Sequence, residues 1–241
     1  MSKRELRRCG EPPAWPELLK QRNVANRKGE SEVCLERHLR STYLGNLSFV
    51  DRAIGELFGW LRQEGLYEES IIVFTSDHGE AFFEHRLYGH NKTLYDDMVR
   101  IPLVIRFPTS AGIRPQRIAV PVESIDILPT LLDYLGLPIP KHAEGDSLWP
   151  LVVGRVSTLG DDEVVMTTNR RHIHAIRVGD HKLIYRSKER RTELYDLALD
   201  PREQRNLAPE QPELAEALHA RLRKLAGQYS RPAGKDGAGR N

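Results

Sequence analysis

Leu47, Val50, Ile54, Leu57, Phe58 and Leu61 recur at spacings of three and four, which predicts an amphipathic helix. Order is expected to begin near Ser41. Gly45, Gly55 and Gly59 lower helix propensity and suit a helix lying close against a sheet, and Gly65 is placed to end it. The pattern then changes period. Residues 70–75, Ser-Ile-Ile-Val-Phe-Thr, form a short apolar run rich in β-branched side chains, the pattern of a strand covered on both faces, as in a parallel sheet. Residues 101–108 read as a second such strand, bounded by Pro102 and Pro108. Ile127, Leu128, Leu131, Leu132 and Leu135 make a second helical stripe, with Pro129 in its first turn and Gly136 at its end.

Beyond about residue 158 the runs shorten. Residues 164–168, 173–178, 181–186 and 192–197 are strand candidates, with the turn pair Gly179-Asp180 between two of them. Leu214, Leu218, Leu222 and Leu225 then form a helical stripe after Pro212, with Gly227 placed to end it. The expected class is α/β: part of a doubly wound, mostly parallel sheet with flanking helices, followed by a small antiparallel sheet with a terminal helix. The expected organisation is an irregular lead-in over 1–40, the sheet domain over 41–158, the antiparallel subdomain over 159–227 and a tail over 228–241.

Composition narrows the function classes. With 39% hydrophobic and 29% charged residues over 241 positions, a packed core is available and a wholly disordered chain is excluded. A net charge of +2 is too even to point to nucleic acid or an anionic membrane. No apolar run approaches the length of a membrane-spanning helix. The charged start, Met-Ser-Lys-Arg-Glu-Leu-Arg-Arg, is not a secretory signal, so the compartment is left unknown with the cytoplasm as default. Residues 1–40 hold ten Lys/Arg against six Asp/Glu, few apolar residues and both cysteines, Cys9 and Cys34, which read as two ordinary thiols.

The sharpest chemical feature is Asp77-His78-Gly79, directly after the strand at 70–75. Ligand sites in open α/β sheets gather at that end of the strands. Neighbouring strand residues face opposite ways, so both side chains reach one ion only if the chain turns there, which Gly79 permits. A carboxylate with an imidazole is half of a metal site. Oxygen-rich surroundings would suit Ca²⁺, and more nitrogen would suit Zn²⁺ or Mn²⁺. Taken alone, the pair reads more readily as a turn cap beside a polar surface histidine. The stretch Tyr88-Gly89-His90-Asn91-Lys92-Thr93 follows closely enough to loop back over the strand end. Cations there would bind an anionic ester, and His90 or Lys92 would protonate a leaving oxygen. Glu84-His85 would support the site or be solvated.

Read together, these segments resemble the sulfatases of the alkaline phosphatase superfamily. The resemblance runs over residues 43–55, then Phe74-Thr75-Ser76-Asp77-His78-Gly79-Glu80, then Gly89–Asp97 with Arg100–Ile105. It continues through Ser124–Leu132, Glu193–Leu197 and Asp200-Pro201 with Asn206-Leu207-Ala208, all in the family's order. It implies Asp77 and His78 as ligands of a divalent ion, usually Ca²⁺, and His90 or Lys92 as the cation that contacts the sulfate. Counting back from Arg100-Ile101-Pro102 lands on Asn91, between the two. Lys92 is preferred because it stays charged at neutral pH.

The resemblance also implies a formylglycine nucleophile made from a Cys/Ser-x-Pro-x-Arg motif, which the contexts of Cys9 and Cys34 do not match. The chain is therefore expected to be the second half of a sulfatase-like sulfate-ester hydrolase, inactive alone. Its partners would be a sulfated small molecule or glycan and an amino-terminal half. A phosphodiester or phosphonate hydrolase, or a phosphoethanolamine transferase, of the same superfamily is the alternative. A non-catalytic remnant or interaction fragment is the third reading.

Overall fold

The computed structural model describes residues 30–90, 93–159, 163–168 and 172–229. By its contacts the chain divides into two units. One holds the described residues of Met1–Lys92 with Arg100–Gly112, and the other holds Thr93–Val99 with those of Ile113–Asn241. Among the described residues no helix is long and apolar enough to cross a membrane.

The first unit opens with helix α1, Glu30–Gln63. Helix thus replaces the last part of the irregular lead-in expected over 1–40. Leu39 is buried, and Arg40 pairs with Glu36 one turn earlier at 2.8 Å, so a charged segment of low periodicity is held helical by local ion pairing and one anchor. Residues 1–29, with Cys9, lie outside the described residues. Cys34 is disulfide-bonded, which corrects the reading of an ordinary thiol; two isolated cysteines carry no spacing that announces a pair. Gly65 ends the helical segment at φ +70°.

Strand β1, Ile72–Thr75, pairs antiparallel with the strand over Leu103–Arg106, and Phe74 faces Val104 across the ladder. The mostly parallel pairing expected for this strand is not found among the described residues, where every strand pair is antiparallel. An apolar run encodes burial and extension but not the direction of its neighbour. Nor is the pair covered on both faces: Phe74 is 44% and Val104 58% exposed. Tyr43, Leu44, Leu47, Phe49, Val50, Leu57 and Trp60 of α1 are exposed as well. A two-residue hairpin, β2 (Ala81–Phe82) and β3 (Tyr88–Gly89), follows β1. Helix α2, Asp96–Val99, comes next in the chain and belongs to the second unit, and β4 is the Leu103–Arg106 strand.

The second unit continues with α3, Ile127–Tyr134, and α4, Trp149–Val152. The motif over Ser124–Thr130 has a structural use here. The buried Asp126 carboxylate accepts the backbone N–H groups of Glu123 at 2.8 Å and Asp146 at 2.9 Å. The Thr130 hydroxyl donates to the Asp126 carbonyl at 2.6 Å and accepts from the Leu148 N–H at 2.8 Å. Together they tie the start of α3 to the segment before α4, with Gly145 so close that a Cβ would lie 2.3 Å from the Ile125 carbonyl oxygen.

Strands β5 (Glu163–Thr168), β6 (Ile173–Val178), β7 (His181–Arg186) and β8 (Arg191–Asp196) form an antiparallel meander. The Gly179-Asp180 turn joins β6 to β7 as expected, with Gly179 at φ +55°. Helix α5, Pro212–Tyr229, packs Leu218 and Leu222 onto Ile176, Leu183 and Leu194. It runs through Gly227, since one glycine costs a helix only about 1 kcal/mol. The turn after β8 is built by side chains of the same stretch. Asn206 Oδ1 accepts from Leu194 N–H and Ala208 N–H, and Asp200 accepts from Gln204 N–H and Arg205 N–H.

Segment 93–99 is held in this unit by buried charge. The Lys182 ammonium, fully buried, meets Asp96 at 2.6 Å and Glu203 at 2.8 Å. Glu203 also accepts the Asp96 N–H at 2.6 Å. Beside it, Tyr95 and Tyr195 donate their hydroxyls to Glu193 at 2.5 and 2.9 Å, and Arg186 donates to its other oxygen at 3.1 Å. Burial pushes the Glu193 carboxyl up, but these donors and the Arg186 charge outweigh it and hold the group below the usual carboxylate range.

Candidate functional site

The strand end and the hairpin lie in the first unit and bring the site together. After Thr75 the chain leaves strand geometry. The Ser76 hydroxyl donates to the His78 carbonyl at 2.7 Å, and the His78 N–H donates to Asp77 Oδ1 at 3.0 Å. The other Asp77 oxygen, Oδ2, lies 3.6 Å from His78 Nε2. Two neighbours that a regular strand would send to opposite faces thus converge, the chain bending at Asp77. Asp77 is 87% exposed, and His78 is half-buried.

The hairpin brings in His90. Its ladder pairs Ala81 with Gly89 and Phe82 with Tyr88. One step outward along the same register, Glu80 stands opposite His90, and His90 Nδ1 lies 3.1 Å from Glu80 Oε2. The His78 and His90 rings stack at 4.7 Å between centroids, tilted by 31°. Asp77, His78 and His90 therefore come together. Lys92, and Asn91 beside it, lie outside the described residues.

Glu80 is the residue that sequence reasoning passed over. The signal was the hairpin register, which two-residue strands do not announce. His78, Glu80 and His90 each offer one ligand atom, all within 4.8 Å of one another, the one such group of three among the described residues.

The surroundings fix the hairpin. The Arg40 guanidinium lies 4.9 Å over the Phe82 ring and donates to the Phe82 carbonyl at 3.2 Å and to Glu84 at 2.7 Å. Tyr43 meets the Phe82 ring edge-on at 5.2 Å. Burial pushes the Glu84 carboxyl up, but the backbone N–H groups of Glu84 and Phe82 and the Arg40 charge more than offset this and hold it low. Glu84 thus braces the hairpin. Burial, and then the nearby Glu80 charge, push the Tyr88 phenol up.

Gly89 sits at φ +80° with its Cβ position 3.6 Å from Glu80 Oε1, so there is room for a methyl but not the right backbone. Gly89→Ala is expected to cost about 1–2 kcal/mol in urea denaturation, through strain next to His90.

Comparison with known proteins follows the same residues. The Sulfatase family model matches residues 11–137, and the model described as N-sulphoglucosamine sulphohydrolase, C-terminal, matches 83–228. Arylsulfatase K of Rattus norvegicus is 29% identical over 221 residues, covering 85% of this chain and 37% of that protein. A protein solved in complex with its substrate D-glucosamine-2-N,6-O-disulfate shares 25% identity at a TM-score of 0.67, over 91% of this chain and 47% of the other. The phosphonate monoester hydrolase of Agrobacterium radiobacter shares 26% at a TM-score of 0.66, over 84% of this chain and 43% of the other. The chain thus spans less than half the length of each of these relatives. The α/β class expected from the sequence is that of these structural neighbours. With the Sulfatase model spanning just over half its length, the chain belongs to the sulfatase family of the alkaline phosphatase superfamily.

Proposed function

We propose that this chain supplies the metal-holding and cationic side of a site that hydrolyses sulfate esters. The observation that carries the reading is the convergence of Asp77 Oδ2 and His78 Nε2, 3.6 Å apart, with the His90 ring stacked against His78. That separation is about the ligand–ligand spacing around one cation, and a carboxylate with an imidazole is a fitting donor pair. A divalent ion, Ca²⁺ in this reading, would be held by Asp77 and His78 and would neutralise charge on the ester oxygens. His90, oriented through Nδ1 by Glu80, presents its other ring nitrogen to the leaving oxygen and donates a proton there. Lys92 is the second cation of the loop. The nucleophile that family resemblance implies has no matching motif in these residues, so the reading assigns it to residues outside this chain. The substrate class is a sulfated sugar, by analogy with the disulfated glucosamine bound by a structural neighbour.

A phosphonate monoester hydrolase matches this chain as closely as that neighbour does, which favours phosphonate ester cleavage as the second reading. Completing the chain with an amino-terminal sulfatase half and assaying an aryl sulfate against an aryl phosphonate separates the two. Absence of turnover on both, with a cooperatively folded complex, would leave the non-catalytic reading standing.

A further inference from the structure

We propose that His78, Glu80 and His90 form a binding site for a borderline transition-metal ion, Zn²⁺ being the probe, which shares His78 with the Asp77–His78 pair and differs from it in its other ligands and its chemistry. The inference assumes nothing about ester hydrolysis and stands apart from the proposed function.

The first support is the state of His78. Its Nδ1 lies 2.7 Å from the Gly79 carbonyl oxygen. A carbonyl only accepts, so Nδ1 is the donor and Nε2 is the ring nitrogen left to face a metal. A backbone carbonyl holding the far nitrogen of a ligating imidazole is the usual outer support of a histidine–metal bond.

The second is the hairpin register. Glu80 and His90 are opposed across the extended ladder, and Nδ1 lies 3.1 Å from Oε2. With metal–ligand bonds of about 2.0–2.2 Å, adjacent ligands of a tetrahedral ion lie about 3.3–3.5 Å apart. The Glu80–His90 pair is a hydrogen bond with the proton on Nδ1, and Zn²⁺ would displace that proton to solvent, leaving the two atoms near that spacing. All three ligand atoms fall within 4.8 Å, and His90 is exposed enough to swing inward.

The third is ligand chemistry. Two imidazoles and one carboxylate leave room for water in the remaining position and match the preference of Zn²⁺. A hard cation such as Ca²⁺ asks for about six to eight oxygens, and this group offers one carboxylate. Asp77 lies outside the group, so it distinguishes the two sites. Because His78 Nε2 serves both, the two ions exclude one another, and Zn²⁺ at this site also occupies His90.

The test is calorimetric titration of the full chain with Zn²⁺, for the wild type and for His78→Ala, Glu80→Gln, His90→Ala and Asp77→Asn, each checked for wild-type circular dichroism. One ion should bind the wild type. His78→Ala should abolish binding, Glu80→Gln and His90→Ala should each weaken it at least about tenfold, and Asp77→Asn should weaken it less than about threefold. Asp77→Asn costing as much as His90→Ala would place the ion on the Asp77–His78 pair and overturn the proposal, as would no stoichiometric binding. A second measurement needs no variant. Zn²⁺ should protect both His78 and His90 of the wild type from diethyl pyrocarbonate, read by peptide mass mapping. Protection of His78 without His90 would overturn it equally.

Discussion

Expressed alone, the 241-residue chain should turn over neither an aryl sulfate nor an aryl phosphonate, and activity should appear only when an amino-terminal sulfatase half is supplied. Covalent catalysis without its nucleophile loses the step that divides the reaction in two. Neither cysteine context matches the family's nucleophile motif. In the completed enzyme, Asp77→Ala and His78→Ala should each lower kcat by about 10² to 10³, the cost of removing one preorganised contributor to charge stabilisation. Steady-state assays on purified complexes, free of host sulfatase, read both effects. Robust turnover by the lone chain would mean that a nucleophile lies within these residues. Loss on His78→Ala without loss on Asp77→Ala would remove the carboxylate from the proposed metal pair.

Lys182→Met should destabilise the second unit by about 3–5 kcal/mol, because it leaves two carboxylates facing each other in the core without their cation. The lysine is fully buried and meets both Asp96 and Glu203. Burial already pushes the Glu203 carboxyl up, and the Lys182 charge offsets this only in part. Removing that charge raises the group further. Between the unfolded carboxylate value and this raised folded value, the native state binds more protons than the unfolded one, so stability falls as pH rises through the window. The deficit of Lys182→Met should therefore be largest at neutral pH and shrink on acidification. Urea denaturation monitored by circular dichroism across that range checks both the size and the sign. A deficit independent of pH would mean that lost packing, not uncompensated charge, is the cause.

The legible parts of the fold are those where local pattern and tertiary outcome coincide. The β5–β8 meander follows short strand runs and a Gly-Asp turn, and α5 shows its buried face as Leu218 and Leu222. The antiparallel partner of β1 was not legible, since Ile72–Thr75 would read the same beside a parallel neighbour. The second unit's claim on Thr93–Val99 was hidden too. It rests on Lys182 and Glu193, charged residues that a sequence reading assigns to the surface, buried here only because each finds partners far away in the chain.

At the site, Asp77, His78 and His90 carried recognisable chemistry. Glu80 did not, because its meeting with His90 depends on a two-residue ladder. That hairpin turns through Phe83 and Arg86 at positive φ, where the usual glycine signal is missing. Family landmarks such as Asp126-Thr130 and Asn206 prove to be tethers of loops and turns rather than chemistry, which the motif text alone does not distinguish.

The path of the chain has a further consequence. The backbone enters the second unit at Thr93, leaves it at Arg100 and returns at Ile113. The two units are interlaced along the backbone rather than strung in series. A protease nicking the chain after the exposed Gly112 would leave Thr93–Val99 on the amino-terminal fragment. Its Tyr95 and Asp96 would still be gripped by Glu193, Lys182 and Glu203 of the carboxyl-terminal one. The fragments should co-elute from a native sizing column and part only in denaturant. A cut there severs the chain without dividing the molecule.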